Sequence, residues 1–294
     1  MSTRRPEWDE EGRDWPNREH SRFVRAGWLD WHVQRVGAGP ELLLIHGTGS
    51  ATHSWRGMIG PLSRRFAVTA MDLPGHGFTR GRPRGGMSVH AVARAVHELT
   101  EALEAPPALI VAHSAGAAVA CQMALEGRST APILAFGAAL TPFPGPAARI
   151  FPAIARLLFV NPFVPSLFAR YARQPGEVER FLARSTGSTI DAWGAELYAR
   201  LFATAEHCAG AIELMADWDL DQLALRLPRI TVPLKLLHGD RDATVPLSAA
   251  RTVPAELEVL AGLGHLAHEE APAPAAHAVE RFAVEHGVLR TADA

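Results

Sequence analysis

The sequence predicts an α/β fold, with a mainly parallel central sheet, helices on both of its faces and an inserted helical cap. Three observations carry this reading. Short apolar runs alternate with helix-like segments from Glu41 to Phe136 and again from Val232 to the C-terminal end, the order of elements that builds a parallel sheet covered on both sides. The run from Leu109 to Ala112 leads straight through His113 and Ser114 into an Ala-rich helical stretch. Between about Thr141 and Leu227 the alternation stops and Pro-broken helical sequence takes its place. A chain of 294 residues is long enough for one core-rich domain plus an insertion. The divisions read as an N-terminal extension over residues 1–20, a first core part over 21–140, a cap over 141–227 and a second core part over 228–294.

The elements follow in order. Arg22 to Ala26 and Trp28 to Val36 alternate in polarity around Ala26-Gly27 and read as an edge hairpin. Glu41 to Ile45 is a short buried strand that ends in His46-Gly-Thr-Gly49, whose glycines free backbone N–H groups to point into a site. Phe66 to Met71 is the next strand, before the turn-rich Asp72-Leu-Pro-Gly-His-Gly77. Ser88 opens a helix to about Leu103, with Val89, Val92, Ala93, Val96 and Leu99 at helical spacing. Leu109 to Ala112 is a strand, Ala115 to Leu125 a helix and Pro132 to Phe136 a strand. The cap opens on Thr141-Pro-Phe-Pro-Gly-Pro146, a hinge-like run, and its helical character is clearest at residues 177–184 and 192–216. Val232 to His238 resumes the sheet and leads into Gly239-Asp-Arg-Asp-Ala-Thr-Val-Pro246. Leu257 to Leu260 is a last strand, Gly264-His265 follows it, and residues 271–286 close the chain as a helix.

Ala112-His-Ser114-Ala-Gly116 has the layout of a nucleophile elbow, a tight strand-to-helix turn that lifts a serine hydroxyl above the end of a sheet. Such a turn admits small side chains alone two positions to either side, which Ala112 and Gly116 satisfy. The same Ala-x-Ser-x-Gly pattern recurs at residues 183–187, but Arg180-Phe-Leu-Ala-Arg184 precedes it in place of an apolar strand, so Ser114 is the candidate.

Composition narrows the function. A net charge of −2 offers no electrostatic case for a nucleic-acid partner. Lys235 is the sole lysine, which reads as compositional bias toward Arg. Cys121 and Cys208 lack CxxC or CxxH spacing, so neither a disulfide framework nor a zinc site is expected. The fourteen histidines include no His-x-x-x-His or His-Glu-x-x-His pair, and no phosphate-binding Gly-rich loop occurs. No metal and no cofactor are therefore expected. The first 20 residues mix Arg with acids and lack the apolar stretch of a secretory signal, which reads as a cytoplasmic protein. Arg156 and the prolines keep apolar runs in the cap well short of the ~20 residues that span a bilayer, which leaves peripheral contact of the cap with the inner membrane as the membrane reading.

With these pieces in place the chain resembles the α/β-hydrolase family over nearly all of residues 21–288. The resemblance implies an α/β-hydrolase fold and a triad in the order Ser, acid, His: Ser114, then Asp242, then His265, with Asp240 the alternative acid. It implies an oxyanion hole from the backbone N–H groups of Thr48 and Ala115. A free serine hydroxyl is a poor nucleophile, so an imidazole must take its proton, and a buried carboxylate fixes the imidazole's tautomer and stabilises the imidazolium. An epoxide hydrolase or dehalogenase is disfavoured, since those relatives place Asp where this chain has Ser114. His113, His46 and His76 read as structural, and His268 as a weaker competitor for the base.

Asp14 to Val24, His46 to Trp55 and Val111 to Ala118 are more narrowly similar to the α/β-hydrolase-type magnesium-chelatase accessory family of bacteriochlorophyll biosynthesis. That similarity implies a role near magnesium insertion, with a small-molecule substrate such as a tetrapyrrole and magnesium-chelatase subunits as partners. Phe143, Phe151, Phe159 and Phe163, with Phe168, offer apolar area for a flat macrocycle, or fill the interior of the cap. The functions that remain are a serine hydrolase acting on an ester, thioester or amide, a cofactor-free haloperoxidase or perhydrolase using the same parts, and a non-catalytic tetrapyrrole-binding or chelatase-assembly protein.

Overall fold

The computed structural model describes residues 4–142, 161 and 163–290. Its strands are β1 (Ser21–Ala26), β2 (Leu29–Val36), β3 (Glu41–Ile45), β4 (Ala67–Met71), β5 (Arg80–Gly81), β6 (Leu109–His113), β7 (Ile133–Phe136), β8 (Leu234–Gly239) and β9 (Glu256–Leu260). They form one sheet in the order β1-β2-β4-β3-β6-β7-β8-β9, with β5 beside β2. β1 and β2 are an antiparallel hairpin turned at Gly27, whose φ is +57°. From β4 to β9 every pairing is parallel. The two-residue β5 lies outside the sequence reading, because two residues carry no periodicity.

Helices α1 (Arg56–Leu62), α2 (Val89–Ala102) and α3 (Ala115–Leu125) belong to the first half of the core. Side chains alternate across the sheet. Leu43, Ile45, Ile110 and Ala112 pack with Val92, Val96 and Leu99 of α2 and Val119 of α3. Leu42, Leu44, Leu109 and Val111 face the other way, with Met58, Ile59 and Leu62 of α1. Successive residues of a strand point to opposite faces, and both faces here are covered, which is why these strands read as unbroken apolar runs. Each fully buried Leu, Ile or Val contributes about 1.5–3 kcal/mol. Ser88 begins α2 as its N-cap, its hydroxyl accepting the Ala91 N–H at 3.3 Å.

The insertion contains α4 (Val164–Ala172), α5 (Glu177–Thr186), α6 (Ala192–Phe202), α7 (Ala205–Ala216) and α8 (Leu220–Arg226). Where the sequence suggests one helical stretch over residues 192–216, two helices meet at Ala203-Thr204. Thr204 has extended backbone (φ −112°, ψ 124°), and its hydroxyl bonds the Leu201 carbonyl, which ends one helix and starts the next. The second core part adds α9 (Leu247–Ala250), α10 (Ala267–Glu270) and α11 (Pro272–Glu285), whose Val279 and Phe282 complete the core on the α1 side. No helix of the described residues is long and apolar enough to cross a membrane.

The N-terminal extension is a strap laid across the molecule. Trp15 is buried among Ala51, Phe78 and, from α6, Leu197 and Leu201, and its indole N–H donates to Thr52 Oγ1 at 2.9 Å. Arg18 stacks on the Trp8 ring at 4.0 Å, and Asp14 pairs with Arg200 of α6. The strap therefore ties the segment after β3 to the insertion.

Candidate active site

Ser114 stands between β6 and α3 with φ +48° and ψ −112°, a conformation that costs a non-Gly residue on the order of 1–3 kcal/mol. Its surroundings hold it there. The Ser114 N–H donates to Phe136 O at 2.9 Å, and its carbonyl accepts the N–H groups of Ala117 at 3.1 Å and Ala139 at 3.2 Å. The small neighbours have a visible cause: a Cβ on Gly116 would sit 2.3 Å from the Ile45 carbonyl oxygen, and one on Gly47 would sit 2.9 Å from Ser114 Cβ. The elbow and the loop after β3 are thus pressed together without room for a methyl group.

Two backbone donors, those of Ala115 and Thr48, adjoin that contact in the chain. Ala115 is the first residue of α3, and the leading N–H groups of a helix have no intrahelical acceptor and lie at its positive end. Thr48 lies in the turn before Gly49, which has φ +77°. Neither N–H has a partner among the hydrogen bonds of the described residues. His46 fastens the turn: its Nδ1–H donates to Gly47 O at 2.7 Å while Nε2 accepts the Leu73 N–H at 2.8 Å. Burial lowers the pKa of His46 against the pull of Asp72, which keeps the ring neutral and able to accept.

His265 follows β9 and presents Nδ1 to Asp242 Oδ2 at 2.8 Å, with the carboxylate fully buried. The other oxygen of Asp242 accepts the N–H groups of Thr244 and Val245, each at 2.8 Å. Three donors thus fill the lone pairs of this buried carboxylate and fix its orientation. Asp240 does different work, its Oδ1 accepting the Gly262 N–H at 2.7 Å across the loop. The imidazole lies over the end of β7, where a Cβ on Gly137 would fall 2.8 Å from His265 Nδ1. His265 Nε2 is left without a partner among the described residues. Gly137 escapes sequence reasoning, its one signal being a Gly directly after a strand.

The insertion shapes both loops. At the end of α5 the Thr186 carbonyl accepts the N–H of His265 at 2.8 Å and that of Ala243 at 3.3 Å. Ser188 Oγ accepts the Leu266 N–H at 2.8 Å. Gly187, with φ +68°, passes so close to the Arg241 backbone that a Cβ would lie 2.0 Å from its oxygen. These residues carry no sequence signature of a site beyond the Gly expected after a helix.

Other expected positions are placed as follows. His113 donates Nε2–H to the His265 carbonyl at 3.1 Å, and burial, with His268 and His265 nearby, holds it neutral. His268 is buried against Ser54 at 2.8 Å, its pKa pushed down to about 3 by burial. His76 packs between His46 and His207. Phe163 is 60% exposed, and Phe168 packs inside the insertion against Phe181 and Phe202. Phe143, Phe151 and Phe159 lie outside the described residues.

A family model described as the alpha/beta hydrolase family matches residues 42–278. The chain is 40% identical over 265 residues to the magnesium-chelatase 30 kDa subunit of Rhodobacter capsulatus, covering 88% of this chain and 92% of that protein. It is 30% identical over 234 residues to the pimeloyl-[acyl-carrier protein] methyl ester esterase of Vibrio atlanticus, covering 76% and 83%. Among solved structures, a thermophilic esterase from Thermogutta terrifontis superposes with a TM-score of 0.71 at 21% identity, over 91% of this chain and 99% of that one. A haloalkane dehalogenase variant from Bradyrhizobium elkanii gives 0.70 at 20% identity, over 91% and 98%. An esterase and a dehalogenase match equally well, so the backbone likeness speaks to fold and not to chemistry.

Proposed function

This chain belongs to the alpha/beta hydrolase family, and from that premise we propose that it is a serine hydrolase that cleaves an ester, thioester or amide. The reading rests most heavily on one observation, the fully buried Asp242 carboxylate 2.8 Å from His265 Nδ1, in a chain whose Ser114 takes the strained elbow conformation. In this mechanism Ser114 Oγ attacks the substrate carbonyl carbon as its proton passes to His265 Nε2, and Asp242 stabilises the imidazolium. The oxygen that gains negative charge takes hydrogen bonds from the N–H groups of Thr48 and Ala115; one such donor is typically worth about 10²–10³-fold in rate. Collapse of the tetrahedral intermediate expels the alcohol, thiol or amine, which leaves with the proton from His265. Water, deprotonated by His265, then attacks the acyl-serine and releases the acid.

The identity to the Rhodobacter capsulatus subunit supports a place beside magnesium insertion in bacteriochlorophyll synthesis. In this reading the substrate is a tetrapyrrole-related molecule and the chelatase subunits are partners. The methyl ester esterase among the relatives supports ester cleavage as the reaction. A second reading, favoured by the first relative being named a subunit, keeps the fold as an assembly factor without turnover.

Fluorophosphonate labelling tests the nucleophile. We expect Ser114 to be labelled and Ser114→Ala to abolish labelling and esterase activity; labelling at Ser185, or none, would sink the reading. The pathway role is tested by deleting the gene in a bacteriochlorophyll-making host and measuring protoporphyrin against its magnesium form. An unchanged ratio would remove the pathway role. Restoration of the ratio by the Ser114→Ala protein would favour assembly over turnover.

A further inference from the structure

Four residues beyond His265, the Glu269 side chain is fully buried and meets three separate parts of the chain. Its Oε1 accepts the Ser54 hydroxyl at 2.6 Å and the Tyr198 hydroxyl, on α6 of the insertion, at 2.7 Å. Its Oε2 accepts Arg56 Nη1 at 2.6 Å, and Arg56 reaches on to Asp191, the N-cap of α6, at 3.2 Å. Ser50 Oγ, two residues past Thr48, lies 3.2 Å from Tyr198 Oη.

Proton counting orders these contacts. A phenol has one proton, and the nearer acceptor takes it, so Tyr198 donates to Glu269, and its 3.2 Å contact with Ser50 is made by the Ser50 proton, whose other acceptor, the Ala51 carbonyl, is farther off at 3.4 Å. Likewise Ser54 spends its proton on Glu269, so the 2.8 Å contact from His268 Nε2 to Ser54 is a donation from the ring. Every donor in the cluster points, directly or through one hydroxyl, at a single carboxylate. The oxyanion turn (Ser50), the helix beginning behind it (Ser54, Arg56), the loop of His265 (His268, Glu269) and the insertion (Tyr198) share that one acceptor. Burying a carboxylate is costly unless its lone pairs are filled, and Tyr198 leaves whenever α6 lifts.

We propose that Glu269 is a positioning residue that couples the seating of α6 to the geometry of the oxyanion turn and the His265 loop. The proposal rests on the hydrolase reading above for its kinetic consequence, though not for its structural one. With α6 seated, Tyr198 completes the carboxylate and Ser50 is held. With α6 raised, Glu269 loses a donor and the turn loses Ser50's anchor, so the site is assembled under a closed cap alone. Glu269 touches no substrate, and its effect travels through the backbone of Thr48 and through His265.

The test uses the full-length protein with Glu269→Gln, Tyr198→Phe and the double variant, assayed on p-nitrophenyl butyrate and by hydrogen exchange. Glu269→Gln is expected to lower kcat by about 10- to 100-fold, the scale of a misplaced catalytic group, with KM little changed. Tyr198→Phe should do less, and the double variant no more than Glu269→Gln, because the phenol acts through the carboxylate. Additive losses, or a loss confined to KM, overturn the proposal. In exchange, Tyr198→Phe should raise uptake together in residues 47–54 and 192–202; a rise confined to 192–202 overturns it. Tyr198→Phe keeps this arm decisive where Glu269→Gln does not fold. If the unmodified protein is inert to both ester and fluorophosphonate, the hydrolase reading fails while the exchange arm still decides the coupling.

Discussion

The chain contains Ala-x-Ser-x-Gly twice, and the two copies fold into opposite things. At residues 112–116 the pattern follows a buried parallel strand, and Ser114 is driven to φ +48° at the head of α3. At residues 183–187 it is the last turn of the amphipathic helix α5, where Ser185 spends its hydroxyl on the Phe181 carbonyl at 2.8 Å. Even the shared glycine answers different demands. Gly116 is required because the Ile45 and His46 carbonyls leave no room for a side chain, whereas Gly187 must hold φ +68° against the Arg241 backbone. Yet the second copy is not idle, since the Thr186 carbonyl carries the backbone of His265 and Ala243. The pattern itself decides nothing; what precedes it and what presses on it decide.

The sharpest way to break the comparison is at the two serines. Ser114→Ala should lower kcat by about 10⁴- to 10⁶-fold, measured on an activated ester. Next in size is the acid, where Asp242→Asn should cost about 10⁴-fold. Asp240→Asn, which disturbs one exposed loop bond, should leave turnover nearly intact; the reverse ranking would move the acid to Asp240.

The elbow also differs from α5 in the buried neutral histidines around it, and pH probes that. Burial depresses His113 and His53 well below the ordinary imidazole value, His207 to about 4 and His268 to about 3. Their folded pKa values lie below the unfolded value of about 6.5, so the unfolded chain binds protons first. Stability should be flat above about pH 6.5 and fall on acidification, the losses from His207 and His268 levelling near pH 4 and pH 3. Denaturant midpoints against pH measure this; a midpoint that does not move between pH 6.5 and pH 4 would show that these rings take up protons in the fold as they do in the unfolded chain.

Smaller effects test the second copy. Gly187→Ala should destabilise by about 1–3 kcal/mol through its positive φ and should also slow turnover, because Arg241 stands one residue from Asp242. A destabilised variant with unchanged kcat would separate the α5 terminus from the acid loop. Ser185→Ala, which removes a helix back-bond, should stay within about 0.5 kcal/mol in stability with activity unchanged.

Much of this was legible in local sequence. The apolar runs of Leu42 to Ile45 and into Ser114, and the Ser88 cap with the helical spacing after it, follow from run length, periodicity and capping, which act over a few residues. The break between α6 and α7 was not legible, because Thr204 competes with helix in a way that composition does not register. Gly137, Thr186, Ser188 and Glu269 were missed for a common reason: each acts on a partner far along the chain, through a missing Cβ, a carbonyl, a hydroxyl and a carboxylate respectively, and no residue type signals that.

By itself, then, the sequence determined the order of strands and helices, the strand-to-helix turn at Ser114 and the loops that bear Asp242 and His265. These depend on side-chain period and on backbone preferences that neighbouring residues settle among themselves. The family resemblance pointed to Asp242 over Asp240; the physical reason that Asp242 faces the imidazole lies in the tertiary structure, where Asp240 is turned to the Gly262 N–H. Tertiary structure alone decided that the strap at Trp15, the terminus of α5 and the Glu269 carboxylate converge on the same loops. Such convergence depends on excluded volume and on the demand that every buried charge find donors, conditions that exist once the chain has closed on itself.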